Sequence, residues 1–169
     1  MYNDTLTYDE LVEEYFSCAF GKNWKAFYNY LEKVESAFDF FYMEGQRSVD
    51  SERSNYYNPG HVASLEQIRG IVAEGRSLIQ EHYNMPYRVQ TVSVRLLELH
   101  ALFCELLSDA MTEKAKGNDD KAWELYEIMK AEMGKRECYF QTCYDHGLAF
   151  YSFETIFKQK KKATGPVIY

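Results

Sequence analysis

Three polar side chains have the types that could do chemistry: His100, Cys143 and His146. A cysteine beside an imidazole would pair a nucleophile with a general base, and Cys143 and His146 are close in sequence. No third group stands at a recognised position to orient them, and Asp145 is typical of a local helix cap. His100 lies on the apolar side of a predicted helix, where a hydrogen-bonded core role is common. We therefore predict no catalytic residue and no enzyme activity for this chain.

Motifs for metals and cofactors are missing from the sequence. It contains no GxGxxG, GxxxxGK[ST], GxSxG or HExxH motif. A di-iron bundle needs Glu-x-x-His pairs, whereas Glu98 and His100 are two residues apart. The 4 cysteines show no C-x-x-C spacing. We predict neither metal nor cofactor, and reduced thiols that favour a cytoplasmic protein, or a secreted one if a signal peptide precedes the sequence.

Composition narrows the class of partner. The 169 residues fit one domain, predicted over 1–169, and a net charge of −7 disfavours nucleic acid. No apolar run is long enough to predict a membrane helix. The 15 tyrosines and 11 phenylalanines are unusually many, and tyrosine-rich proteins tend to have half-buried or interfacial rings. Protein partners or small ligands remain the open classes.

Apolar spacing predicts helices, and no segment alternates as a strand does. A long helix is expected over 87–116, and others over about 24–41, 64–83, 119–133 and 148–157. The apolar stripe of the long helix includes Val89, Val92, Leu96, Leu99, Phe103, Leu106, Leu107, Ala110 and Met111. Asn23 is a candidate N-cap, and Ser64 with Gln67 has capping-box spacing. Thr7 and Glu10 have the same spacing at the start of the first helix, and Gly21 is expected to end it. That first helix has one continuous stripe expected to face the core: Tyr8, Leu11, Val12, Tyr15, Phe16, Ala19 and Phe20. The predicted fold is an all-α antiparallel helical bundle of five to seven helices, one long and central.

One segment breaks this pattern. Residues 44–60 lose the helical periodicity and are rich in glycine, serine, asparagine and proline, which predicts a long irregular loop. Tyr56 and Tyr57 interrupt the polar residues of the loop. Long loops within compact domains are often functional or disordered, which makes this the irregular segment of most interest.

Several segments taken together are similar to one known region. They are YDEL at 8–11, EYF at 14–16, AFG at 19–21, YNYL at 28–31, the turn at 116–118, Ala122 and Glu137. This progression resembles the helical C-terminal region of a bacterial family of uncharacterised, glycoside-hydrolase-like proteins. In that family a hexosaminidase-like or α-glucuronidase-like (β/α)8 barrel precedes the helical region. The likeness covers about 1–160 of this chain and only the last part of such a parent.

The resemblance implies a non-catalytic accessory domain of a larger carbohydrate-active protein, since the barrel and its catalytic carboxylates lie outside this sequence. Its partners would be the upstream barrel or a second copy in a homodimer, with carbohydrate as a further ligand. Tyr56, Tyr57 and Trp24 are the candidate sugar-binding residues, because aromatic faces stack on pyranose rings. The alternative is a stand-alone helical bundle that binds a small ligand or a protein between its helices.

Overall fold

The computed structural model describes residues 6–39, 43 and 59–158. No strand occurs among these residues, and the predicted all-α class with one long helix is confirmed. A 3-10 turn, Gly21–Asn23, separates the first two helices. The α-helices are α1 Tyr8–Phe20, α2 Trp24–Ala37, α3 Pro59–Leu65, α4 Ile68–Glu81, α5 Arg88–Ala115, α6 Asp119–Gly134, α7 Glu137–Phe140 and α8 His146–Phe157.

The chain divides into two compact units. The first comprises residues 1–36 and 68–104, and the second comprises 37–67 and 105–169. The division falls inside α2 and inside α5, so each of these helices contributes residues to both units.

The first unit has an aromatic core between α1 and α2. Phe20 and Phe27 stack with ring centroids 4.7 Å apart, and both are buried. Ile79 from α4 and Val94 and Leu97 from α5 complete this core. Burying large rings and branched side chains removes apolar surface from water, which is the main favourable contribution to folding.

A close helix contact lies beside this core, where α4 meets α2. Gly75 lies directly against the ring of Tyr30, which is 5% exposed. A Cβ atom added to Gly75 would lie 2.2 Å from Tyr30 Cε2. Glycine lowers the stability of an isolated helix, so its place in the middle of α4 is explained by this contact.

Asn23 and His82 hold the α1–α2 connection to the end of α4. Asn23 ends the 3-10 turn directly before α2, and its Nδ2 lies 2.6 Å from His82 Nε2, while its N-cap role stays a prediction. Nδ1 of His82 lies 3.0 Å from the Leu78 carbonyl, so that nitrogen donates and Nε2 accepts from the amide. This tautomer is inferred from the hydrogen-bond network.

The start of α4 differs from the sequence prediction. The predicted Ser64–Gln67 capping box does not form, because the Ser64 hydroxyl donates instead to the Ala37 carbonyl at 3.0 Å. Pro59 and Gly60, the last two residues of the predicted 44–60 loop, begin α3, and Pro59 takes the first helical position that proline favours. The rest of that loop lies outside the described residues.

The long helix α5 buries only part of its predicted stripe. Leu107, Ala110 and Met111 are buried as expected, whereas Val89 and Val92 are 62% and 47% exposed. Apolar side chains lie on more than one side of this helix, so periodicity alone could not choose between them. One row of buried residues has spacings of three and four, as in a heptad pattern: Val94, Leu97, Ala101, Cys104, Ser108, Met111 and Ala115.

In the second unit, α6 and α8 pack through Tyr126. This residue is fully buried, its hydroxyl donates to the Phe150 carbonyl at 2.9 Å, and its ring stacks 5.2 Å from Phe157. Burial, followed by the nearby charges of Glu154 and Glu127, raises the pKa of Tyr126 to about 12. The hydroxyl therefore stays protonated and keeps its hydrogen bond at all ordinary pH values.

The turn between α5 and α6 contains a buried ion pair. The Lys114 side chain is 2% exposed, and its Nζ lies 2.5 Å from Oδ1 of Asp119. Gly117 adopts φ 82°, a left-handed conformation that glycine reaches at little cost. Asn118 donates to the Glu113 carboxylate at 2.8 Å, which holds the same turn from its exposed side.

His61 in α3 links the stability of the second unit to pH. The residue is 5% exposed, and burial lowers its pKa, while the Asp39 carboxylate acts more weakly in the opposite direction. The folded protein therefore keeps His61 neutral, whereas the unfolded chain protonates it below about pH 6.5. The contribution of the buried, neutral His61 to the free energy of unfolding is complete above that pH and is lost as the pH falls below it.

We accordingly expect the stability difference between wild type and His61→Gln to shrink on acidification. Denaturant unfolding of both proteins at about pH 7 and about pH 5 measures this, because only the wild type carries the His61 proton linkage. A difference that stays constant across the two pH values would show that His61 is not held neutral by the fold.

Candidate interaction surface

The surface of interest lies on α1, and a complete capping box sets the start of that helix. The Thr7 backbone N–H donates to Glu10 Oε2 at 2.8 Å, and Thr7 Oγ1 accepts from Glu10 N at 3.4 Å. The bond from the Thr7 backbone N–H, followed by one from Thr7 Oγ1 to Glu10 Oε2 at 2.9 Å, lowers the pKa of the Glu10 carboxyl group. Gly21, at φ 69°, ends the helix. The predicted capping box and glycine stop are both confirmed.

The apolar stripe of α1 was predicted to face the core, but only part of it does. Phe20 is buried, but Tyr8, Leu11 and Tyr15 are 73%, 50% and 69% exposed. These three occupy positions i, i+3 and i+7, so they lie along one side of the helix. Exposed Cys18 continues the same row by three further residues. We call Tyr8, Leu11 and Tyr15 the α1 stripe.

Aromatic packing behind the stripe anchors α1 to α2. Phe16 meets Tyr28 edge-on at 5.1 Å and lies 6.3 Å from the Trp24 ring. Trp24 also contacts Tyr28 at 6.3 Å, and Lys25 Nζ lies 5.4 Å from its ring centroid. These contacts support α1 from the inside, so the stripe is displayed on a well-packed helix rather than on a loop.

Helix α1 is acidic, and one of its carboxylates borders the α1 stripe. The helix carries Asp9, Glu10, Glu13 and Glu14, all exposed, and it contains no lysine, arginine or histidine. At about 100° per residue, Glu14 lies next to the stripe on the side away from Phe16, whereas Glu10 lies further round the helix. Tyr28 belongs to the same neighbourhood: its hydrogen bond to Glu32, then desolvation and the charges of Glu32, Tyr8 and Asp9, raise its pKa to about 12.

The sequence-predicted ligand residues are not brought together by the described structure. Trp24 is half-buried in the α1–α2 packing, with Phe16 and Tyr28 around it and Lys25 over its ring. Tyr56 and Tyr57 lie outside the described residues. Sugar binding by these three residues therefore stays a prediction.

The residues considered for catalysis engage other partners. The Cys143 thiol donates to the Phe140 carbonyl at 3.2 Å, while the His146 ring packs 4.5 Å from that of Phe150. Asp145 accepts from the backbone N–H of Leu148 at 2.9 Å, so it is the predicted helix cap. Cys143 and His146 are thus used in local packing and hydrogen bonding.

His100 and Cys104 form a further thiol–imidazole contact that sequence reasoning missed. Cys104 Sγ lies 3.5 Å from His100 Nε2, as the i, i+4 spacing on α5 allows. Burial lowers the pKa of His100, so its imidazole is neutral, and Cys104 is only 3% exposed. A neutral imidazole does not stabilise a thiolate by charge, and a buried thiol is hard for a substrate to reach. The contact is therefore best explained as core packing.

Comparison with known proteins found no matching family model, no matching curated protein and no matching solved structure. The resemblance to a glycoside-hydrolase-associated helical region therefore stays a prediction.

The described residues hold neither a metal-binding cluster nor a membrane-spanning helix. Among residues 6–39, 43 and 59–158, no three side chains of histidine, cysteine, aspartate or glutamate come together in a group able to hold a metal ion. Within the same residues, no helix combines the length and apolar character needed to cross a bilayer. The α1 stripe is the candidate site, because three large side chains are exposed along one side of a single helix.

Other exposed apolar residues are less well organised. Val89 and Val92 cover one turn at the start of α5, and Leu148 and Tyr151 cover one turn of α8. Isolated exposed hydrophobic side chains are normal on protein surfaces. The α1 stripe differs because it extends over two turns of one helix and includes two tyrosines, a residue type enriched in interfaces.

Proposed function

We propose that this chain is a non-catalytic helical interaction domain that docks onto a partner protein through the α1 stripe. The exposure of Tyr8, Leu11 and Tyr15 on one helix side is the observation that carries the proposal. Large apolar side chains aligned on a surface cost free energy in water, and that cost is recovered when a partner covers them. A helix that presents anchors at i, i+3 and i+7 is a common recognition element.

The glycoside-hydrolase resemblance supplies a specific version of this proposal. In it, the partner is the (β/α)8 barrel of the same protein, whose outer ring of helices offers surfaces that α1 could pack against. The domain would then stabilise the barrel or position it in a larger assembly. Carbohydrate would bind to the barrel, with Trp24, Tyr56 and Tyr57 as the residues of this chain to test for a contribution.

Site-specific photo-crosslinking in the native host tests the docking proposal. A benzoylphenylalanine placed at Tyr15 is expected to capture a defined partner, whereas the same group at Tyr139 is the control, because Tyr139 is 72% exposed in the other unit. The purified partner should then bind wild type and Tyr139→Ser equally, and Tyr15→Ser at least about tenfold more weakly, as expected for an interface anchor.

A loss of binding in Tyr15→Ser would not be caused by unfolding. Tyr15 is 69% exposed, so Tyr15→Ser should change the free energy of unfolding by only about 0.5 kcal/mol. Equal crosslinking at positions 15 and 139, or unchanged affinity of Tyr15→Ser for the captured partner, would rule out the α1 stripe as the docking surface.

A further inference from the structure

The charges beside the α1 stripe restrict what can dock there. Glu14 lies along its outer edge, and Asp9 and Glu32 lie near Tyr28 at the Tyr8 end. Helix α1 offers no cation to balance these carboxylates. A partner that covers the stripe must place its own side chains beside the Glu14 carboxylate, so electrostatic complementarity favours some partners over others.

This restriction disfavours two occupants. A second copy docking through the same surface would bring its own Glu14 to the interface, and its α1 would bring no cation. Like charges repel, and they do so more strongly as water is excluded. An anionic lipid surface would be repelled for the same reason. The net charge of the whole chain, −7, acts in the same direction.

We propose that the α1 stripe binds a basic amphipathic helix of the partner protein, with apolar side chains on one side and lysine or arginine along its edge. This inference rests on the docking function proposed above and adds the chemistry of the partner. Apolar side chains would pack between Tyr8, Leu11 and Tyr15, which span about 10 Å of helix at 1.5 Å per residue. Arginine would pair with Glu14 in bidentate hydrogen bonds.

The exposed tyrosine rings give a second reason for a basic partner. Tyr8 and Tyr15 are both more than two-thirds exposed, so their ring faces are open to a neighbouring side chain. Lysine and arginine are attracted to the faces of aromatic rings, and the attraction grows as water is excluded. Rings and carboxylates side by side therefore favour the same cationic side chains.

The test uses two synthetic helical peptides of about 18 residues, roughly five turns, with identical apolar positions. One carries lysine and arginine at its edge positions, and the other carries glutamate. Titration calorimetry with the full chain should detect binding of the basic peptide only, weakening as salt is raised. Tyr15→Ser should weaken it at least about tenfold, and Glu14→Lys about threefold or more at low salt.

Two matched controls lie in the other unit. Tyr139→Ser removes a tyrosine of similar exposure, and Glu127→Lys makes the same change in net charge on exposed α6 surface. Both should bind the basic peptide as the wild type does. If Glu127→Lys weakens binding as much as Glu14→Lys, general charge attraction explains the result and the inference is wrong.

The remaining outcomes distinguish the inference from the docking function. Equal binding of the two peptides, with loss in Tyr15→Ser, would overturn the basic partner and leave docking through α1 in place. Binding of the basic peptide that Tyr15→Ser does not affect would overturn both. The inference is also overturned if neither peptide binds. The same holds if Leu11→Ser abolishes a dimer of the chain, or if phosphatidylserine vesicles bind the wild type and not Tyr15→Ser. In these cases the crosslinking experiment still tests whether a partner docks on the α1 stripe.

Discussion

Asp119→Ala is expected to lower the free energy of unfolding by about 3–5 kcal/mol, because it leaves the Lys114 ammonium group buried without a counter-charge. The Lys114 side chain is 2% exposed and lies 2.5 Å from the Asp119 carboxylate. The cost is a large part of the about 5–15 kcal/mol that stabilises a typical folded protein. Urea unfolding followed by circular dichroism measures it.

Two variants separate the buried charge from other roles of Asp119. Asp120→Ala removes a neighbouring, exposed acidic residue in the same first turn of α6, and the loss of an exposed charge should cost about 1 kcal/mol or less. Lys114→Met removes the buried charge itself and leaves Asp119, whose side chain is 24% exposed, in contact with water. It should stay within about 1 kcal/mol of wild type. If Asp119→Ala and Asp120→Ala cost the same, the ion pair is not the cause.

Gly75→Ala should destabilise the first unit by about 3 kcal/mol, although alanine is the better helix former. The new Cβ would lie 2.2 Å from Cε2 and 2.5 Å from Cζ of Tyr30, far inside van der Waals contact. The Tyr30 ring is 5% exposed and cannot move aside without disturbing its surroundings. The change in denaturation midpoint gives the effect.

Gly70→Ala is the matched control, since Gly70 lies on the same helix with no atom within 4 Å of an added Cβ. It should stabilise the protein by up to about 1 kcal/mol, the opposite sign from Gly75→Ala. A double-mutant cycle with Tyr30→Ala then isolates the contact: removing the ring should make Gly75→Ala far less costly. Equal effects at positions 70 and 75 would mean that Tyr30 and α4 are not packed in this way.

The local features of α1 show how far the sequence alone can predict the fold. Thr7 and Glu10 are three residues apart and bond to each other, and Gly21 ends the helix. Such interactions depend on neighbours along the chain, so their residue types and spacing are sufficient to predict them. The same holds for the Asp145 cap of α8 and for the all-α class, which follows from helical periodicity.

The candidate site could be predicted only in part. The spacing of Tyr8, Leu11 and Tyr15 identified an apolar side of α1, but that side was expected to face the core. Periodicity reports that a helix has an apolar side and does not report whether the same chain covers it. Phe16 and Phe20 pack against α2, and the tyrosines are left exposed. Trp24 was predicted to bind sugar because it is aromatic. Which of its ring faces a ligand can reach depends on the side chains packed around it, and the sequence does not specify these.

By itself, then, the sequence determined the helices, their local caps and the helical class, because hydrogen bonds and propensities within a few residues specify them. Only the tertiary structure decided which apolar sides are buried, why Gly75 must be glycine, and why Lys114 can lie in the second unit's interior. Those outcomes depend on side chains from other helices: the ring of Tyr30 for Gly75 and the carboxylate of Asp119 for Lys114. The spacing of residues along a single helix does not predict which side chains of other helices will contact them.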